Sequence, residues 1–234
     1  EAVVDRLRQD GRAVGCVTVT TFRPFPAAQL AEVLRRAHTV GVVERTDEPA
    51  SADNPLTREI KAALYATAAQ GIPVPRVLSV SAGLGSRDVG VSDIAAVFDW
   101  IAPHEARTST FAVLGIRHPL ALAPVPIDCG PRGAYRIRGH SIGGFGSVTT
   151  NKLLATVVGE LFGRYVQAYP RYGSEKKGLP TAFYLTMAQE PVRGHAELDQ
   201  VEFVTLHAAS AFAQGRPLAG LVDGGTVFLQ SREP

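Results

Sequence analysis

The chain has 234 residues, 45% hydrophobic and 20% charged, with 24 Lys and Arg against 22 Asp and Glu for a net charge of +2. That length holds one large or two modest domains, and that balance suits a chain with a real core but offers no strongly basic face or tail for general nucleic-acid binding. No apolar run reaches the ~18 residues of a membrane span, and no leader pattern opens the sequence. The two cysteines, Cys16 and Cys129, stand far apart at neither metal nor redox spacing. Reduced thiols in a cytoplasmic protein are expected, and these two alone cannot hold an iron–sulfur cluster. The sequence opens on Glu1 inside a helical pattern and stops at Arg-Glu-Pro just after a strand, so it reads as a segment of a longer polypeptide.

In chain order, the first half alternates helix and strand. Residues 1–11 read as a helix ended by Gly11. The β-branched, mostly apolar run AVGCVTVTTF, residues 13–22, predicts a buried strand. Leu30, Val33, Leu34 and Ala37 have helical spacing. VGVVERT predicts the next strand, and PLTREIKAALYATAAQG a helix with Pro55 in its first turn. VPRVLSVSAGLG, VSDIAAVFDWIA and STFAVLGI follow as strand, helix and strand. Such alternation implies a parallel sheet with helices on its faces.

Residues 117–133 hold four prolines and two glycines without period and read as a Pro-rich linker, with one domain over 1–116 and a second over 134–234. The second half restarts the alternation. AYRIRGHSI is a strand and 147–162 a helix; YVQAYPRYG, LPTAFYLTMA and VEFVTLH are strands. The short helix AASAFAQG and the final strand GGTVFLQS close it. The fold class expected is α/β, two domains, each a mostly parallel sheet flanked by helices.

The stretch GHSIGGFGSVTTNKLLATVVGE, residues 139–160, carries the candidate chemistry. Gly139, Gly143, Gly144 and Gly146 permit tight turns and close approach to a ligand, and Ser147 suits a helix N-cap. The unpaired N–H groups of a helix start, with the positive end of the helix dipole behind them, attract anions. Thr149, Thr150, Asn151 and Lys152 add hydroxyl, amide and ammonium donors in what reads as the first turn. The lysine follows Asn151 rather than a glycine, so this is not a P-loop, and the glycine spacing fails the dinucleotide fingerprint. A glycine turn packed closely on a helix explains the same letters. Three of the four lysines, Lys152, Lys176 and Lys177, fall in or near this region, and between 134 and 178 seven basic residues face only Glu160 and Glu175. A polyanion with an apolar portion fits that setting, as does a solvated loop. His140 and His207 have no partner at metal-ligand spacing and read as structural.

Several stretches together resemble the pyruvate:ferredoxin oxidoreductases, the 2-oxoacid:ferredoxin oxidoreductase family. VGCVTVTTFRPFP, GVVERTDEPAS and SAGLGSRDVGVSDIAAVFDWI resemble its domain similar to the transketolase C-terminal domain. The second half, from GHSIGGFGSVTTNKLLATVVGE through YVQAYPRYGSEKKGLPTAF to GGTVFLQS, resembles its gamma domain, truncated at its C-terminus. The resemblance implies CoA-dependent oxidative decarboxylation of a 2-oxoacid, pyruvate in the first instance. Thiamine diphosphate and iron–sulfur clusters, lying in other domains or subunits, would pass electrons to ferredoxin. It implies no turnover for the isolated segment, an oligomeric assembly, and neither membrane nor nucleic acid as partner. For this segment it implies coenzyme A binding at Gly143, Gly144, Gly146, Ser147, Thr149, Asn151 and Lys152, with Lys176 and Lys177 adding charge. No catalytic residue or metal ligand is expected. The charged turn from Glu44 to Glu48 is expected to be salt-bridged, at a domain or subunit contact. A noncatalytic assembly module with a purely structural glycine turn is the competing expectation.

Overall fold

The computed structural model describes residues 1–102, 109–144, 146–172, 178–194 and 197–231. Two compact units divide the chain, Val3–Ile127 and Asp128–Pro234.

In the first unit, helix α1 covers Ala2–Gln9 and α2 Ala27–Leu34; strand β1 (Thr39–Glu44), helix α3 (Pro55–Ala68), strand β2 (Arg76–Ser81), helix α4 (Val91–Ile101) and strand β3 (Phe111–Val113) follow. The strands form a parallel sheet in the order β1-β2-β3. Helices cover both faces. Ala31 of α2 and Ile60 and Leu64 of α3 pack with Val42 on one side. Val97 of α4 packs with Val80, Ala82 and Leu114 on the other. Central β2 is therefore apolar without strict alternation, as a strand buried on two faces must be. At Gly41 a side chain would come within 3.0 Å of Ile101, so glycine admits α4 at that point.

One expected strand is missing. Residues 13–22 join no sheet, and Val17 and Phe22 stand 48% and 42% exposed. A β-branched apolar run becomes a strand only when an edge is there to receive it, and β1 pairs with β2 alone among the described strands.

The Glu44–Glu48 turn, expected to be salt-bridged, carries one such bridge among the described residues, at Glu48, while Glu44 serves as a helix cap. Glu44 is buried at the end of β1, and its carboxylate accepts the N–H groups of Leu56 (2.6 Å) and Thr57 (3.0 Å) and the Thr57 hydroxyl (2.8 Å). It thus occupies the positive N-terminal end of α3. Asn54 donates to the Thr46 carbonyl and the Ser81 hydroxyl, and only Glu48 pairs with an arginine, Arg58 at 2.5 Å.

In the second unit, β4 (Tyr135–Ile142), α5 (Ser147–Glu160), β5 (Tyr165–Tyr172), β6 (Pro180–Ala188), β7 (Val201–Leu206), α6 (Ala211–Gln214) and β8 (Leu221–Leu229) build a five-stranded sheet in the order β5-β6-β4-β7-β8. Strands β4, β7 and β8 run parallel, while β6 is antiparallel to both β4 and β5. The α/β class stands, with this second sheet mixed rather than mostly parallel. Only seven residues separate β5 from β6, too few for the crossover that a parallel pair needs. Ile137, Phe183 and Leu185 pack with Ala155 of α5, and Val204 and Leu206 pack with Ala211 of α6.

Candidate functional site

Strands β4 and β7 are parallel neighbours whose chains leave in opposite directions. After Ile142 the chain runs through α5 to β5 at one edge; after Leu206 it runs through α6 to β8 at the other. Such a reversal opens a crevice beyond the carboxyl ends of the two strands, where α/β sheets place their ligands. The glycine loop and the start of α5 lie at that point.

Each glycine of the loop has its own task. Gly143 is held between strands, donating to the Leu179 carbonyl at 2.9 Å and accepting from Gly178 N–H at 3.1 Å. Gly144 and Gly146 have φ of 101° and 78°, a left-handed backbone that a side chain would strain. Gly146 itself is the N-cap, its carbonyl accepting from Thr150 N–H at 3.0 Å. Ser147 is therefore not the cap. The left-handed turn at Gly146 swings it one position inward, and it is buried. The N–H groups of Ser147, Val148 and Thr149 have no acceptor within the helix, as at any helix start.

The side chains separate by face. Asn151 is 7% exposed and lies beneath the helix; its Nδ2 is 3.5 Å from where a β-carbon on Gly139 would be, and Thr205 Oγ1 is 2.7 Å from the same point. Gly139 thus sits mid-strand, in register with Thr205, and admits these two polar groups rather than making a turn. Among the described residues, the buried Asn151 Nδ2, Thr205 Oγ1 and His207 Nε2 find no hydrogen-bond partner. Thr149 and Lys152 face outward and are exposed. With Gly146 as cap, Asn151 and Lys152 begin the second turn rather than complete the first. Thr150 turns its hydroxyl back toward the Gly146 carbonyl, 3.3 Å away. Lys176 and Lys177 lie outside the described residues, as does Phe145.

The basic neighbourhood is largely internal. Arg136 pairs with Glu202 at 2.6 Å and Asp128 at 2.9 Å, and Arg171 pairs with Glu197 at 2.6 Å. Arg138 is buried and donates to the carbonyls of Leu198 (3.4 Å), Pro217 (3.1 Å) and Ala219. Burial holds its pKa below the ordinary arginine value. His140 shares that sheet face, opposite Asn151, by strand alternation. Burial, then the Arg138 charge, push its pKa down to about 4, against a hydrogen bond with the Pro217 backbone. His140 is therefore a neutral structural group. His207 follows β7 at the crevice, its N–H bound to the His140 carbonyl at 2.9 Å.

Thr205 carries no mark in the sequence, and His207 reads there only as a structural histidine, because nothing local says that β7 lies beside β4. The alternation of VEFVTLH with its polar letters was the available signal. Among the described residues no group of three or more His, Cys, Asp or Glu could hold a metal, and no helix is long and apolar enough to cross a membrane.

Open α/β sheets place ligands at such a switch point, and a helix start favours anions. Residues 136–234 match the family model for pyruvate ferredoxin/flavodoxin oxidoreductase, and residues 1–94 match that for core domain II of pyruvate:ferredoxin oxidoreductase. The chain is 30% identical over 234 residues to the pyruvate:ferredoxin oxidoreductase of Moorella thermoacetica, covering 99% of this chain and 20% of that protein. It is 29% identical over 235 residues to the pyruvate-flavodoxin oxidoreductase of Enterobacter agglomerans, covering 98% and 20%. Among solved structures, the pyruvate oxidoreductase subunit PORC of Thermotoga maritima aligns at a TM-score of 0.37 with 23% identity, over 43% of this chain and 52% of that one. The chain belongs to the pyruvate:ferredoxin oxidoreductase family, and spans about a fifth of the length of the curated relatives it matches.

Proposed function

We propose that this chain is a segment of a cytoplasmic 2-oxoacid:ferredoxin oxidoreductase, acting on pyruvate, and that its second unit helps bind coenzyme A for the oxidative decarboxylation. Thiamine diphosphate and the iron–sulfur clusters belong, in this reading, to parts of the enzyme beyond these residues, which also form the oligomer and pass electrons to ferredoxin. The names of the relatives support the reaction. The division at 1–116, 117–133 and 134–234 is kept as the proposed domain plan.

The observation that carries the ligand is the switch point at the carboxyl ends of β4 and β7, where the helix-start N–H groups of α5 and the exposed Thr149 and Lys152 lie. Coenzyme A offers its phosphates to these donors, and Asn151, buried beneath the helix, supports their loop from the protein side. Gly143, Gly144 and Gly146 keep the backbone close, Ser147 contributes its backbone N–H, and Lys176 and Lys177 are proposed to add charge. Calorimetric titration of the full-length polypeptide tests this. Lys152→Ala is expected to weaken coenzyme A about tenfold, the size of one exposed charge contact to phosphate plus its ordering. Unchanged affinity would leave the glycine turn a structural role in assembly.

A further inference from the structure

Helix α5 has an outer face in which large apolar side chains stand exposed among Thr149, Thr156 and Glu160. The side chains it turns fully inward are polar, Ser147 and Asn151. Leu153, by contrast, is 64% exposed, Leu161 at its C-cap 77% and Phe162 68%, with Leu154 and Tyr165 bare beside them. Leu153, Leu154, Val157 and Leu161 follow three- and four-residue spacing along one side of the helix, opposite Asn151 and Ala155. A helix face left to water carries charge and polarity, and a contiguous apolar strip there marks a contact.

We propose that the outer face of α5 is an interdomain contact, covered by a part of the same polypeptide lying outside residues 1–234. Curated relatives are about five times the length of this chain, so four-fifths of their polypeptide is there to provide the cover. Size decides between a tethered domain and a second copy. A 14-residue helix is about 21 Å long, and a face ~10 Å wide presents roughly 200 Å². A free-standing complex buries about 800 Å² on each partner. A domain joined through the chain needs far less, because tethering raises its effective concentration. The covering chemistry is apolar and uncharged at its centre, facing Leu153, Val157 and Leu161. This contact stands independently of any ligand at the crevice, although Lys152 borders it.

Cysteine labelling of the full-length polypeptide tests the proposal. Leu161→Cys and, separately, Leu153→Cys are treated with a maleimide, and the labelled peptide is identified by mass spectrometry, natively and in urea. Both positions are expected to label at least tenfold more slowly in the native protein than in the unfolded one, at every protein concentration. Native labelling at the unfolded rate would overturn the contact. Protection that disappears on dilution to the monomer would assign the face to a second copy and overturn the tethered domain.

Discussion

At Gly139 a single missing atom organises the crevice. A β-carbon there would lie 2.7 Å from Thr205 Oγ1, closer than such atoms approach. Gly139→Ala should therefore cost about 1–3 kcal/mol, as overpacking of a dense interior does. It is read as a lower urea midpoint, and Thr205→Ala in the same chain should restore most of the loss. His140 makes a different demand, on pH. Its folded pKa of about 4 lies below the ordinary 6.5, so between those values the unfolded chain binds the extra proton. Stability therefore rises as pH increases from about 4 toward 6.5 and is lost on acidification through that window. The stability profile of a His140→Gln variant should be measurably flatter there; an unchanged slope would assign the acid sensitivity to other groups.

At the scale of elements, helices were the most legible. Periodic apolar spacing and end signals such as Gly11 and Pro55 place α1, α3 and α4 within a few residues of where they lie, because a helix satisfies its hydrogen bonds within its own segment. Strands depend on neighbours. The run at 13–22 has the composition of a buried strand and no partner, whereas β2, of similar composition, lies between two. Amide exchange of the 234-residue chain should show this directly: residues 14–22 are expected to exchange at least a hundredfold faster than β2. Equal protection would mean that the run pairs in solution. The start of α5 shows the same limit more finely. Ser147 is a sound cap by residue type, but the left-handed Gly146 takes the cap and sends Ser147 inward.

The whole molecule consists of two units with separate cores, 3–127 and 128–234, and Arg132, near the start of the second, is exposed in a turn ahead of β4. Trypsin should cut early after Arg132, because an exposed turn outside the sheet opens to a protease more readily than a strand does. Mass spectrometry is expected to find fragments 1–132 and 133–234 among the first products; a chain cut first inside β4 or β6 would contradict the division. By itself the sequence determined the α/β class, most of the elements, the glycine loop ahead of α5 and the family, since these rest on local spacing and on ordered motifs. Tertiary structure alone decided that β4 lies beside β7, that Asn151 and Thr205 meet at Gly139, that Arg136 and Arg171 pair with carboxylates while Arg138 donates to backbone carbonyls, and that Glu44 caps α3. Apart from the Arg136–Asp128 pair, each of those contacts joins residues 12 or more positions apart, and sequence periodicity records which face a side chain takes without recording what the rest of the chain brings against it.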